Sequence, residues 1–387
     1  MPPRTDTMSD VNPAIADWTG PLGLPDFDAI EDRDFEAAFA AALPAHLAEI
    51  HAIAGNAAEP DFENTIVALE RAGELLTRAS SLFWNKAGAD TNDTLQELER
   101  KLSAEMYRHF SAIMMNRPLF ERIDTLYQKR ENLGLDAEAG RVMERTWKNF
   151  VRAGARLDAA GQKQLAAINE RLATLGTQFA QNILADEREY ALILEATDDL
   201  AGLPDSLLSS MSAAAEERGQ DGKHAVTLSR SIIEPFLTFS ERRDLRETAF
   251  KAWIARGESE GARDNRLLET VWEKARARAR EEAAALSKLI AEAGQNHDVA
   301  PWDWRHYSEK ERAARYDLKE AEIKPYLQLE KMIEAAFYTA ERLFGLTFRP
   351  HDNISAYHPD VRVFEVLDAD GKRIAVFLAD YFERASK

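Results

Sequence analysis

Eight histidines in a 387-residue chain with 67 carboxylates raise metal chemistry first, and spacing decides how far it goes. A catalytic zinc needs three protein ligands converging from a rigid scaffold, typically a helical His-Glu-x-x-His run plus a distant third ligand. No histidine here is followed by Glu, so that run is absent from the sequence. In "HLAEIH", His46 and His51 lie five residues apart, which on a helix separates them by well over a quarter-turn. Their plain reading is two surface histidines. Glu105 and His109 in "EMYRH" are four apart and share a helical face, but one Glu and one His close no site. "HDNISAYHPD" gathers His351, Asp352, His358 and Asp360 in a Pro-bounded loop, where turn and capping roles outweigh a metal site that no helix would hold in shape.

Other chemistries fare no better. Ser229 and Ser231 in "LSRSIIEPF" lack the Gly-x-Ser-x-Gly elbow of a nucleophilic serine, and no histidine is spaced to serve them as base. Neither a Walker A nor a Gly-x-Gly-x-x-Gly phosphate loop occurs. With no cysteine, thiol nucleophiles, disulfides, Cys-ligated zinc and iron–sulfur clusters are excluded. No residue is therefore assigned to catalysis, cofactor binding or metal ligation. The most unusual stretch is "NHDVAPWDWRHY", where Trp302 and Trp304 flank Asp303 just after Pro301. It is expected to be a short extended segment whose aromatics anchor a junction of helical bodies, with the wall of a peptide or sugar cleft as the functional alternative.

The elements that would position these residues are mostly helices. From about Asp34 to Ala293 apolar residues recur at three- and four-residue spacing. Phe35, Phe39 and Leu43 begin one stripe, which Pro44 is expected to kink or restart. Ile66, Leu69, Leu75, Leu76, Leu82 and Phe83 form another. Leu165, Ile168, Leu172, Leu175 and Phe179 mark a third, read as a packing face. Two short strands interrupt the helices, Tyr190 to Leu194 and Ala225 to Leu228, with a helix starting at Asp205 between them. Near the C-terminus, residues 361–366 and 374–379 alternate around the turn "DADGK" as a hairpin. A lone hairpin is marginal in water, so a third strand, a helix or a partner must support it.

Composition narrows the partners. A formal charge of −18 disfavours nucleic acid and anionic lipid. The longest apolar runs, such as "IAVFLA", are too short to span a bilayer, and the opening residues have no secretory h-region. A cytoplasmic location is the expectation.

Several stretches together resemble a known family. "LPDFDAI", "PDFENTIVALERAG", "LATLGTQFAQNILAD", "IEPFLTFSERRDLRETAFKAWIARG", "APWDWRHY" and "KPYLQLEKMIEAAFYTAERLFGLTF" occur in order along nearly the whole chain. They resemble the zinc metallopeptidases that include thimet oligopeptidase, oligopeptidase A and peptidyl-dipeptidase Dcp, and Trp-Asp-Trp leans toward the peptidyl-dipeptidase branch. The resemblance implies a mostly helical, two-lobed shell around a deep channel, in which a His-Glu-x-x-His helix and a downstream Glu hold one zinc. A zinc-activated water would attack oligopeptides there, releasing C-terminal dipeptides.

This sequence departs from that pattern twice. The family's zinc helix lies beyond the hairpin with which this chain ends, and the passage from Asn265 into "LLETVW" reads as an internal deletion. The expectation is a mainly α protein with a small C-terminal hairpin or sheet. Residues 1–15 are expected to be a flexible terminus, 16–250 a helical N-terminal region, and 251–387 a truncated catalytic region. Zinc belongs to the intact family, and none is expected to bind this chain specifically. The chain alone is expected to be inactive; the alternative is a non-catalytic peptide-binding or scaffold protein of the same descent. Oligopeptides, a complementing C-terminal fragment and self-association through exposed apolar surface are the expected partners.

Overall fold

In the computed structural model, residues 12–256, 266–316, 320–384 and 386–387 are described. The helical spacing read from the sequence becomes a mainly α chain with two small antiparallel sheets. The chain divides into two compact units: residues 1–178 with 340–387, and residues 179–339.

The first unit opens with α1 (Asp34–Ala54), whose residues Phe35, Ala38, Phe39, Ala42, His46, Ile50 and Ile53 form one buried stripe. Contrary to expectation, α1 runs through Pro44 without interruption. Pro44 and Ala40 both lie on the exposed side, so water can serve the Ala40 carbonyl that the missing N–H leaves unpaired. By length and apolarity α1 is the single described helix that could cross a membrane. Its apolar stripe is instead part of a protein core with Leu76, Phe83, Leu95 and Leu102. A π-helical turn (Phe62–Val67), capped reciprocally by Asp61 and Asn64, leads into α2 (Ala68–Arg71). Then follow α3 (Glu74–Ala89), α4 (Asp93–Met114), α5 (Arg117–Gln128) and α6 (Ala137–Arg152). Asn92, Asn116 and Asp136 start the last three, each accepting a backbone N–H of the first turn. The long α7 (Ala159–Glu189) belongs to this unit as far as Gln178.

The expected packing face of α7 is not buried. Ile168, Leu172, Leu175 and Phe179 are all about half-exposed. A neighbouring face of the helix, carrying Leu165, Asn169, Ala173 and Thr177, is the one turned to α4.

In the second unit, β1 (Leu192–Leu194) pairs antiparallel with β2 (His224–Val226) on either side of α8 (Asp205–Glu216), as the sequence predicts. Helices α9 (Arg230–Phe239) and α10 (Arg243–Ile254) complete this core around Phe236, Ile233 and Met211. Beyond them lie α11 (Arg266–Glu292), α12 (Pro301–Tyr316), the short α13 (Glu320–Ile323) and α14 (Leu329–Phe344). The junction at Asn265 lies outside the described residues.

The extended segment expected at Trp-Asp-Trp is the first turn of α12. Pro301 is the first helical residue, where its missing N–H costs nothing. Asp303 accepts the Ala300 N–H at 3.1 Å, closing the turn.

The C-terminal residues return to the first unit as β3 (Thr347–Pro350), β4 (Arg362–Leu367) and β5 (Arg373–Ala379), in the order β3-β4-β5. The hairpin thus has the third strand it requires. Gly371 at φ 76° and the Asp368 side chain, which accepts the N–H groups of Asp370 and Lys372, form its turn. Beyond β5, Arg384 donates to Asp380 and to the Ala89 carbonyl at 2.6 Å, fastening the segment to the end of α3.

Candidate peptide-binding groove

In the first unit a groove of about 720 Å³ lies among α3, α4, α6 and α7. Its floor comes from α4, where Met106, Phe110 and Met114 form one row at four-residue spacing and Ser103, Tyr107 and Ser111 a second. The α4 stripe Leu95, Leu98, Leu102, His109 and Ile113 faces the core, against which Met106 and Met114 also pack in part. Trp84 of α3 adds an aromatic wall. Helix α7 contributes Leu165, Asn169, Ala173 and Thr177, again four residues apart and so on one face. A bond from Thr177 Oγ1 to Ser103 Oγ (3.0 Å) ties the two helices at one end, and an Arg108–Glu170 ion pair at 3.3 Å lies alongside. At the other end stand Asn149 and Arg152 in the last turn of α6. Aromatic and thioether groups give the groove an adaptable apolar floor, while its two Asn side chains supply amide donors and acceptors matched to a peptide backbone.

The second unit has a smaller cavity of about 580 Å³ against α12, lined by Phe250, Trp253, Trp302, Trp304, Arg305 and Arg312 among others. Beneath it Asp303 is fully buried and accepts from Arg243 (3.0 Å) and from Arg246 (3.0 Å). Burial alone would raise the Asp303 carboxyl, but Arg243, the Ala300 N–H and Arg246 hold it below the usual range. His306, whose Nδ1 donates to the Thr238 carbonyl (3.1 Å), is pushed down to about 4 by burial and by Arg246 and Lys310. Trp302, with Arg243 and Lys251 over its ring, is a structural anchor of this junction.

The sequence-singled residues scatter. His46 is not on the surface: it is buried, with Nδ1 2.9 Å from His109 Nε2. It occupies a core position of the α1 stripe, one turn after Ala42 and one before Ile50. Burial lowers both imidazoles, His109 to about 4 with a further push from His46, while Glu49 partly offsets the shift at His46. His51 is exposed. Glu105 does not join His109 in any ion pair or hydrogen bond described. His351 lies 3.5 Å from Glu365, and His358 3.6 Å from Asp360, so the loop's groups divide between separate partners. Ser229 and Ser231 bond to each other (3.1 Å) rather than to an imidazole. Sequence reasoning missed the groove, although its rows at i, i+4 and i+8 on α4 and α7 are visible in the chain.

Comparison with known proteins now bears on this geometry. Residues 264–387 match the model of Peptidase family M3. The chain is 36% identical, over 98% of its length, to the dipeptidyl carboxypeptidase of Escherichia coli (strain K12), of which it covers 62%. It is 34% identical over 97% of its length to the Salmonella typhimurium dipeptidyl carboxypeptidase, covering 61% of that protein. Oligopeptidase A of Salmonella typhimurium follows at 22% over 97% of the chain. The likeness to peptidase family M3 thus covers residues 264–387, and that to the two dipeptidyl carboxypeptidases nearly the whole chain. It spans about 60% of the length of these relatives.

The metal implied for the M3 family has no fit among the described residues. No three of His, Asp and Glu converge there. The one imidazole pair, His46 and His109, is spent on itself, and the nearby Glu49 accepts the Gly73 N–H at 2.7 Å. What the first unit does offer is an apolar groove with two amide side chains, Asn149 and Asn169.

Proposed function

We propose that this chain is the peptide-holding part of an oligopeptide hydrolase of the peptidyl-dipeptidase kind, and that these 387 residues bind oligopeptides without cleaving them. The observation that carries the reading is the groove of the first unit: apolar rows from α4, amide side chains from α6 and α7, and no carboxylate in its lining. The names of the relatives, dipeptidyl carboxypeptidase and oligopeptidase A, supply the peptide class. In the whole enzyme a zinc ion would activate the attacking water. Absence of His-Glu-x-x-His from the sequence supports the lack of turnover in the chain by itself.

The M3 match over 264–387 supports taking 251–387 as the opening of a catalytic region. The alignment with the E. coli relative runs over 421 positions against 387 residues, so that protein carries residues with no counterpart here, in keeping with a shortened junction near Asn265. The acidic, cysteine-free composition is compatible with the cytoplasmic setting that this reading takes. The exposed stripe Ile168, Leu172, Leu175 and Phe179 favours a second role, association with a complementing fragment or a second copy.

Titration calorimetry with mixed oligopeptides, in chelator and then in zinc, tests the reading. Binding in both with no hydrolysis is expected. Failure of every peptide to bind in chelator and zinc alike would remove the peptide-holding role.

A further inference from the structure

The cavity of the second unit has no part in the peptide-holding reading, and its walls have a chemistry of their own. On α12, Trp302, Arg305, Glu309 and Arg312 recur every three or four residues and so form one row. On α10, Phe250 and Trp253 stand three apart, and the Phe250 ring centroid lies 6.3 Å from those of both Trp253 and Trp302. A cavity of about 580 Å³ walled by four aromatic rings has the size and lining of a small-molecule site.

Two donors in that wall are left over. The indole N–H groups of Trp253 and Trp302 are both buried, and neither has an acceptor among the described residues. Buried indoles normally find one, as Trp147 does on Asp124 at 2.6 Å. Arg256 and Arg305 lie over the Trp253 ring and Arg243 and Lys251 over the Trp302 ring, at 5.4 to 5.6 Å. With cations on these rings, what the two tryptophans still offer a ligand is the N–H edge.

The charged groups of the lining favour an anion. Glu309, the one carboxylate among the described lining residues, accepts from Arg312 at 2.7 and 2.6 Å and is spent there. Arg305 is exposed and makes one described hydrogen bond, to Glu234 at 3.0 Å, which leaves further donors on its planar fork. An entering group therefore meets N–H donors backed by positive charge, and a carboxylate answers both.

We propose that the cavity between α10 and α12 binds a planar aromatic carboxylate, its ring packed against Phe250, Trp304 and Leu237 and its carboxylate accepting from Arg305 and the indole N–H groups. The site lies wholly within the second unit, so it is independent of the groove in the first.

Calorimetry on the full chain in chelator tests this, with 2-naphthoate as the probe and 2-naphthamide as its neutral twin. One-to-one binding is expected, roughly fivefold or more tighter for the carboxylate. Arg305→Gln should remove that preference, and Trp253→Phe, which keeps a ring and loses the N–H, should weaken the carboxylate about threefold or more. The same change at exposed Arg280 on α11, outside the cavity, should leave both affinities unchanged. Urea unfolding checks that each variant folds; if Trp253→Phe does not, the exposed Arg305 still decides. Failure of the naphthoate to bind at one-to-one stoichiometry, equal affinity for carboxylate and amide, or a preference that survives Arg305→Gln each overturns the proposal.

Discussion

At the scale of single residues, the histidines carry the clearest consequences. His46 and His109 look like surface or ligand candidates only when counted pairwise. Placed on their stripes, each falls at a core position, His46 between Ala42 and Ile50 and His109 between Leu102 and Ile113. That much was legible; that the two would meet was not, because the pairing of α1 with α4 is a tertiary fact. Burial keeps both neutral in the folded chain, with His109 held near 4 against an ordinary 6.5. The unfolded chain binds protons more readily, so this stability is fully present above pH 6.5, is lost as pH falls toward 4, and levels off below. The loss is on the order of 3 kcal/mol for such a shift. Urea unfolding of wild type and His109→Gln at pH 7 and pH 4.5 checks this: the variant is expected to lose distinctly less stability between the two. Gly73, at φ 80°, packs against the His46 imidazole, and a Cβ there would sit 2.9 Å from the ring. Gly73→Ala should therefore destabilise by roughly 2 kcal/mol, from left-handed strain and overpacking together, as a lowered urea midpoint.

At the scale of elements, helices and hairpin follow from local spacing, and the exceptions have local causes. The Trp-Asp-Trp stretch was read for its aromatics, yet Pro301 at the first helical position and Asp303 reaching back to Ala300 are helix-start signals. Strand β3 was hidden because Pro350 ends it and α14 runs almost into it. The groove was hidden differently: rows at four-residue spacing on α4 and α7 are in the sequence, but which row faces the core and which faces its neighbour depends on the other helices. The start of α12 is fixed to α10 by Asp303 under Arg243 and Arg246, with Arg246 2% exposed. Asp303→Asn leaves a buried guanidinium uncompensated and should cost roughly 3–5 kcal/mol. A matching drop in the urea transition of the second unit, followed by tryptophan fluorescence, is the expected outcome.

At the scale of the whole chain, a match to peptidase family M3 over residues 264–387 and an apolar groove meet a sequence with no His-Glu-x-x-His. The resemblance to the metallopeptidases was legible from ordered stretches of sequence spread along nearly the full length. The groove was not, since it is assembled from four helices whose facing residues are separated by up to 93 positions, from Trp84 to Thr177. Binding and bond cleavage are separable in such a chain, because apolar rows and amide groups hold a peptide whereas hydrolysis needs an activated water. The most direct test is mass spectrometry of an oligopeptide mixture incubated with the purified chain and zinc, alongside the fraction bound. Intact peptides, held by the chain, are the predicted result. Zinc-dependent release of dipeptides that tracks the 387-residue chain through purification would contradict the account.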